Sequence, residues 1–487
     1  TPSMATDSYM VESVPLLIRQ SNYIEITNNV FDGNTQGFMG GDYYMAQAIT
    51  LHQLLGQDEV YLKNNSFSNH QGFSSSVKNY TAGYFDFASS PMISFNFWEL
   101  SAGYLKGLDD NNDGVQEYPS PNSFTIDGCT FENNVFSFES SSDTKNYYYQ
   151  QSKGSLYPVY AYPFSHLLKY FSDQEVDGST GPDTTAFDSP VSYSSGPVMI
   201  SLHVIITDSE IRNNTFNNGF CAFTSFWYNQ FTISSTSFED NVIPSSVQGA
   251  NGLICAIKEN VYNQFNNGST LYFSELTFNG DSGSLFYLTS TGSSDPSSSF
   301  TYAINFNDIE IYNTTSYVYA PIYANGASSV SMSTVTASFF FGTYGLFYLD
   351  STSSFNADII TVKSSVGKYT GILYAKSVAT TVLSNIAASN NTFSDTTDAN
   401  DANFVSGTGL GWENIAINLQ ISTVLALVKQ SGGTLTIKES KFYDSDLKLG
   451  FMVSAGKLIL TDFKAYDLTI RDSIVFAAGS STVTMTG

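Results

Sequence analysis

The stretch Ile24-Glu25-Ile26-Thr27-Asn28-Asn29-Val30-Phe31 decides the reading of this chain, because it recurs. A short β-prone run leads into paired asparagines and then an aromatic residue. The phrase returns as Val60-Tyr61-Leu62-Lys63-Asn64-Asn65-Ser66-Phe67. Its core returns as Asn133-Asn134-Val135-Phe136, Asn213-Asn214-Thr215-Phe216 and Asn390-Asn391-Thr392-Phe393. Looser copies end on Phe131, Phe238, Phe278 and Phe442. Alternation such as Ile24/Ile26 or Leu435/Ile437 sends every second side chain to one face of a strand. Asparagine tolerates left-handed backbone angles, so an Asn pair suits a tight corner between strands. Stacked on successive layers, the amides can form a hydrogen-bonded ladder with the aromatics stacked beneath.

Toward the C-terminus, strands predicted at 334–338, 357–362 and 380–385 begin about 23 residues apart. A strand predicted at 415–420 follows after a longer gap, and 434–438, 457–461 and 482–485 resume the step. That period is too short for a four-stranded propeller blade and too long for one hexapeptide coil. It fits one turn of a coil with three short strands and their corners. The expected fold class is therefore all-β: a right-handed parallel β-helix, a solenoid with loop insertions. Unrelated hairpins with asparagine turns are the alternative, and the recurring phenylalanine counts against them.

The expected organisation is a tail over 1–14 and a single β-helix domain over 15–487. Insertions are expected at about 40–59, 84–122 and 140–197. The first of these reads as holding a short helix through 45–55. The phrase resembles right-handed parallel β-helix proteins of the pectin-lyase-like superfamily, especially large surface proteins of protists. That resemblance implies a fold shared by polysaccharide lyases, hydrolases, adhesins and structural coats, so it does not fix a function.

Composition narrows the partners. The formal charge is −25, from 44 acidic and 19 basic residues. Such a surface repels phosphate backbones and anionic membranes, which argues against nucleic acid and favours cations or neutral glycans. The most apolar run, 415–428, is broken by Asn418, Gln420, Ser422 and Thr423, so no membrane span is expected. The chain starts at Thr1 with no signal peptide, which reads as a mature or trimmed chain. Its last strand, at 481–486, carries no evident cap, and self-association through the solenoid ends is expected. Three cysteines, Cys129, Cys221 and Cys255, allow one disulfide and one free thiol but no framework.

N-linked glycosylation acceptors occur at Asn64, Asn79, Asn213, Asn267, Asn313 and Asn390. If the second Asn of each pair turns inward, the first faces solvent. That is the position of the acceptor at Asn64, Asn213 and Asn390. The set points to an extracellular or cell-surface glycoprotein carrying N-linked glycans.

The sharpest local motif is Asp109-Asp110-Asn111-Asn112-Asp113-Gly114-Val115-Gln116-Glu117. Oxygen donors on Asp109, Asn111 and Asp113, the Val115 carbonyl and Glu117 match the start of an EF-hand-like loop, so structural Ca²⁺ is expected there. Ser120 stands where the bidentate Glu should be, and the alternative is a solvated acidic loop. Tyr147, Tyr148, Tyr149, Tyr157, Tyr160, Tyr162 and Tyr170 offer either a sugar-stacking surface or packing against the wall.

Catalysis finds little support. The N-T-D, G-H-G and R-I-K signatures of the fold's pectin hydrolases are absent. Arg19, Arg212 and Arg471 show no acidic constellation nearby in the sequence. His52, His70, His166 and His203 have no metal-ligand spacing. The expected function is a non-enzymatic structural glycoprotein of an extracellular filament, cell coat or surface appendage, partnered by its own copies, glycans or other coat proteins. The alternatives are a carbohydrate-binding adhesin and a polysaccharide lyase or hydrolase.

Overall fold

Alternation builds the first wall of the molecule. In Tyr23–Thr27 the side chains of Ile24 and Ile26 are buried while Tyr23, Glu25 and Thr27 are exposed. Glu59–Lys63, Thr434–Lys438 and Lys457–Thr461 keep the same two-residue period. These strands do not form hairpins with their sequence neighbours. They stack in parallel, Ile24 on Val60, Val60 on Phe124, Phe124 on Val204, and so on to Leu458 on Val483. After each first-wall strand the chain crosses a second wall, where Val30–Asp32 lies on Ser66–Ser68. It then crosses a third wall, where Thr35–Gln36 lies on Gln71–Lys78. A fourth wall follows, in which Leu16–Arg19 lies on Ile49–His52 and that strand on Ile93–Asn96. The product is a parallel β-helix, and one 34-stranded sheet winds through it.

The computed structural model describes residues 16–19, 23–36, 48–52, 59–78, 85–89, 92–96, 122–138, 165–171, 192–193, 196–197, 202–217, 221–226, 230–244, 252–259, 269–291, 302–367, 370–390, 392–393 and 426–487. The expected strand at 415–420 and the tail over 1–14 lie outside these residues.

Left-handed residues make the corners. Between the first and second walls φ is positive at Asn28, Asn64, Gly128, Asp208, Ser235, Glu275, Asp308, Thr334, Ile359, Asn385, Glu439 and Asp462. Between the second and third walls it is positive at Gly33, Asn69, Asn133, Asn213, Asp240, Gly280, Asn313, Phe339, Ser364, Asn390, Asp444 and Asp467. The phrase read as one repeat is thus two different corners. Asn28-Asn29 and Asn64-Asn65 turn the first, whereas Asn133-Asn134 and Asn213-Asn214 turn the second. Both corners need one left-handed residue followed by one pointing inward, so an Asn pair serves at either.

Two expectations need correction. The turn length is not uniformly near 23 residues: Ser329 pairs with Ser354 and Ser354 with Thr380, steps of 25 and 26. Thr334, taken as a strand start, is a corner residue at φ 57°. The helix expected through 45–55 is also replaced, since Ile49–His52 is a strand of the fourth wall paired on both sides. Two rows of parallel partners override a weak local helical preference. Each of the three stretches expected as insertions contributes a fourth-wall strand: Ile49–His52, Ile93–Asn96 and Ser165–Phe171.

The core is a set of inward columns. On the second wall Phe31 stacks on Phe67 at 5.1 Å between ring centroids, and Phe67 on Phe131 at 4.8 Å. Phe238 stacks on Phe278 at 4.7 Å, and on the third wall Phe136 lies over Phe216 at 5.5 Å. Each buried ring contributes roughly 1.5–3 kcal/mol through area, and each ring pair adds about 0.5–1.5. A disulfide between Cys221 and Cys255 joins adjacent turns of the fourth wall. Closing a loop of this size stabilises by about 2–4 kcal/mol. Cys129 is a buried free thiol that donates to the Leu62 carbonyl at 3.3 Å.

A polar column runs beside the rings at the second corner. The Nδ2 of Asn134 donates to Oδ1 of Asn214, Asn214 to Asn241, and Asn241 to Asp281, each at 2.9 Å. The same amides donate to the carbonyls of Phe67, Phe131 and Ile211. The column ends differently. Asp281 Oδ2 and Thr314 Oγ1, one turn on, are buried without a partner, and burial pushes the Asp281 carboxyl up to about 8.

Candidate functional site: an aromatic stripe on the fourth wall

Four tripeptides share one pattern: Phe286-Tyr287-Leu288, Ile322-Tyr323-Ala324, Phe347-Tyr348-Leu349 and Leu373-Tyr374-Ala375. Their flanking apolar residues are buried in the core. By strand alternation the central tyrosines therefore project outward. The register places them in one column, Tyr287 on Tyr323, Tyr323 on Tyr348, and Tyr348 on Tyr374. Lys429 and Met452 continue that column.

The rings touch along the whole column. Centroid distances are 4.9 Å for Tyr287–Tyr323, 5.1 Å for Tyr323–Tyr348 and 5.0 Å for Tyr348–Tyr374. Tyr319 and Tyr344 enter from the turns that precede the strands, and their turns stack through Tyr344 N donating to Tyr319 O at 2.9 Å. Tyr319 lies 4.6 Å from Tyr323, and Tyr344 lies 4.7 Å from Tyr348 and 5.2 Å from Tyr374. Six tyrosines thus form a continuous stripe. All are half-buried except Tyr323, which its neighbours cover. Burial raises the hydroxyls of Tyr323, Tyr348 and Tyr374, so they stay protonated at neutral pH and can donate.

A polar column runs alongside, two residues further on in each strand: Thr289, Asn325, Asp350, Lys376 and Ser431. Lys376 Nζ donates to Asp350 Oδ2 at 3.0 Å, and this hydrogen bond raises the lysine pKa. At the far end Lys429 Nζ sits 5.0 Å from the Tyr374 ring centroid. Ring faces carry negative quadrupole density, which suits the polarised C–H faces of sugars and also cations. The neighbouring amide, carboxylate and ammonium suit hydroxyls.

Sequence reasoning searched for aromatics at consecutive positions and missed these, which lie a full turn apart. The tripeptide recurrence was the available signal. Of the residues named for stacking, Tyr147, Tyr148, Tyr149, Tyr157, Tyr160 and Tyr162 fall outside the described residues. Tyr170 is placed only by its backbone, in register with Phe95. Asp109, Asn111, Asp113, Val115 and Glu117 also lie outside, as do the acceptors Asn79 and Asn267. Among the described residues no cluster of three or more His, Cys, Asp or Glu could hold a metal.

The other four acceptor asparagines share one environment. Asn64, Asn213, Asn313 and Asn390 are all exposed left-handed corner residues. Asn65, Asn214 and Thr314, which follow three of them, are buried. Asn313 Nδ2 donates to Asn279 Oδ1 and Asn390 Nδ2 to Ser364 Oγ.

Arg212 corrects the expectation that no arginine has acidic neighbours. Stacking brings Glu132 and Glu239 beside it on adjacent turns, with Arg212–Glu132 at 3.0 Å and Arg212–Glu210 at 3.5 Å. Neighbours one turn away are invisible to local sequence inspection. His70 is a core residue at the second corner, with Nε2 at 2.8 Å from the Phe31 carbonyl and its pKa lowered by burial. His203 meets Thr232 Oγ1 at 3.2 Å.

No protein-family model matches the sequence, and no curated protein shows significant similarity to it. Among solved structures the chain is similar to a surface adhesin of Streptococcus pneumoniae, PfbA, at 10% identity over 86% of this chain and 81% of that one, with a TM-score of 0.35. A second PfbA structure aligns at 9% identity over 95% and 92% of the two chains, with the same TM-score. The A-module of the mannuronan C-5 epimerase AlgE6 of Azotobacter vinelandii aligns at 9% identity over 97% and 91%, with a TM-score of 0.23. The fold of this chain rests on its own strand register.

Proposed function

We propose that this chain is an extracellular carbohydrate-binding surface protein that holds glycans on the tyrosine stripe of its fourth wall, without catalysis. The observation that carries this reading is the unbroken outward column of tyrosines, flanked by Asn325, Asp350 and Lys376. Ring stacking adds some stability to the wall, and an aromatic tract left half-exposed over several turns also marks a binding surface. The acid of the stripe, Asp350, is engaged by Lys376 and among the described residues has no second carboxylate arranged with it, which favours binding over hydrolysis. The disulfide and the exposed acceptor asparagines support an oxidising, extracellular setting. A place in the pectin-lyase-like superfamily belongs to the same proposal, on the parallel coil and its corner phrase. So does structural Ca²⁺ at 109–117, which rests on donor spacing alone and is tested by calorimetric titration with CaCl₂.

A glycan array probed with the wild-type chain and with Tyr348→Ala tests the platform. Specific glycans bound by the wild type and lost at least tenfold by the variant, with unchanged circular dichroism, are expected. Absence of binding, or equal binding by the variant, would reject the reading. A filament or coat role is a second reading, favoured by the unbroken in-register stacking from 302 to 367. Electron microscopy of the purified chain separates the two, since discrete rods speak against self-assembly.

A further inference from the structure

The aromatic stripe ends on a cation that has no counter-charge among the described residues. Lys429 occupies the tyrosine column one turn beyond Tyr374, with Met452 on the turn after. The residue is 5% exposed, and its ammonium lies against the Tyr374 ring. Among the described residues no carboxylate, carbonyl or hydroxyl bonds it, and burial alone depresses its pKa to about 8. Taking an ammonium out of water without an anion is unfavourable, and a chain with 44 acidic side chains could readily have supplied one. The cation beside the tyrosine column, Lys376, is already held by Asp350 at 3.0 Å. Lys429 is therefore the positive group of the stripe left to receive an external anion.

We infer that the ligand of the stripe is an acidic glycan, whose carboxylate or sulfate pairs with Lys429 while its sugar rings lie over Tyr374, Tyr348 and Tyr319, the last covering Tyr323. This rests on the platform reading above. Neighbouring strands are about 4.8 Å apart, so Lys429 and Tyr323 are separated by roughly 14 Å along the coil. The site therefore suits an oligosaccharide with its acid toward one end. Desolvation at Lys429 would make the ion pair stronger than one at an open surface, and the general acidity of the chain would then exclude glycans with many charges.

The test uses an array of neutral oligosaccharides printed beside sialylated, uronate-bearing and sulfated forms of the same cores. Wild type, Lys429→Met and Tyr348→Ala are compared. The expected result is an acidic form bound at least tenfold tighter than its neutral core, with that preference erased in Lys429→Met and binding to the neutral core kept. The sialylated, uronate and sulfated arms identify the anion. Equal binding of acidic and neutral forms by wild type, with Tyr348→Ala losing both, overturns the inference and leaves the platform standing. An acid preference that survives in Lys429→Met also overturns it. No binding at all by wild type removes both. Because Lys429 makes no ion pair among the described residues, Lys429→Met should melt no lower than wild type. Should it fail to fold, Lys429→Gln takes its place in the same comparison.

Discussion

The N-terminal and C-terminal halves of the coil solve the same corner in opposite ways. At the first corner the inward residue is Asn65, Cys129, Ser209 and Thr236 in the early turns, then Leu276, Ile309, Val335, Ile360 and Ile386 in the later ones, before Ser440 restores a polar group. The second corner stays polar for longer, through His70, Asn134, Asn214, Asn241, Asp281 and Thr314, and after Phe340 it returns to Ser365 and Ser445. The early half carries its polar groups inside, as ladders, and the later half carries an aromatic stripe outside. The geometry of the corner is constant, and left-handed φ values persist from Asn28 to Asp467. Corner shape is thus a backbone requirement that two side-chain chemistries satisfy. A polar ladder ties neighbouring turns by directional bonds and so favours one register, whereas an apolar column supplies burial and leaves register to the walls.

The strongest way to break this comparison is to place an apolar residue in the ladder. Asn214→Leu removes an acceptor from the backbone and side-chain N–H of Asn134 and a donor from the Phe131 carbonyl. With several buried groups orphaned, a loss of about 3–5 kcal/mol is expected in urea unfolding. A loss below 1 kcal/mol would mean that the ladder is dispensable. The matching change in the apolar column, Ile360→Ala, leaves a cavity and no orphaned bond, and should cost about 2–4 kcal/mol.

Asp281 sits where the two regimes meet and gives the comparison a pH dependence. Its folded pKa, about 8, is raised above the unfolded value of 3.8 by burial. The folded state therefore holds a proton that the unfolded state releases. Stability from this group is fully present below about pH 4, falls as pH rises, and is lost above about pH 8. Asp281→Asn extends the ladder with a neutral amide of the same shape. It should stabilise the chain by about 1–3 kcal/mol at pH 7.5 and flatten the stability–pH profile between 4 and 8. A variant with an unchanged profile would show that another group sets it.

The smallest effect is expected at the surface of a later corner. Ile359 is β-branched, 49% exposed and at φ 56°, a region that disfavours such residues. Ile359→Gly should raise stability by about 1 kcal/mol, whereas Asn64→Gly, where Asn already fits, should change it by a few tenths. Equal effects at both sites would contradict the view that the later corners tolerate strain which the early ones avoid.

The asparagine half was the legible half. Asn134 and Asn214 declare both the corner and the inward ladder, because few residues combine left-handed tolerance with two amide donors. Thr334 and Ile359 turn corners of the same shape with no such signature, which is why the strand phase was misread there. The fourth wall hid for a different reason. Its strands, such as Ile49–His52 and Phe347–Asp350, lie beyond variable loops, and their partners are one full turn away in sequence. Lys429 looks like an ordinary strand lysine until the register puts it after four tyrosines.

The central claim is that glycans bind this coil on the outward tyrosine column. Hydroxyl-radical footprinting with and without the best array ligand tests it most directly. The account predicts protection of the half-buried Tyr348 and Tyr374, together with Tyr319 and Tyr344, while the exposed Tyr23 and Tyr272 on the first wall keep their reactivity. Protection confined to the first wall, or unchanged reactivity across the fourth wall in a chain that has bound glycan, would contradict it.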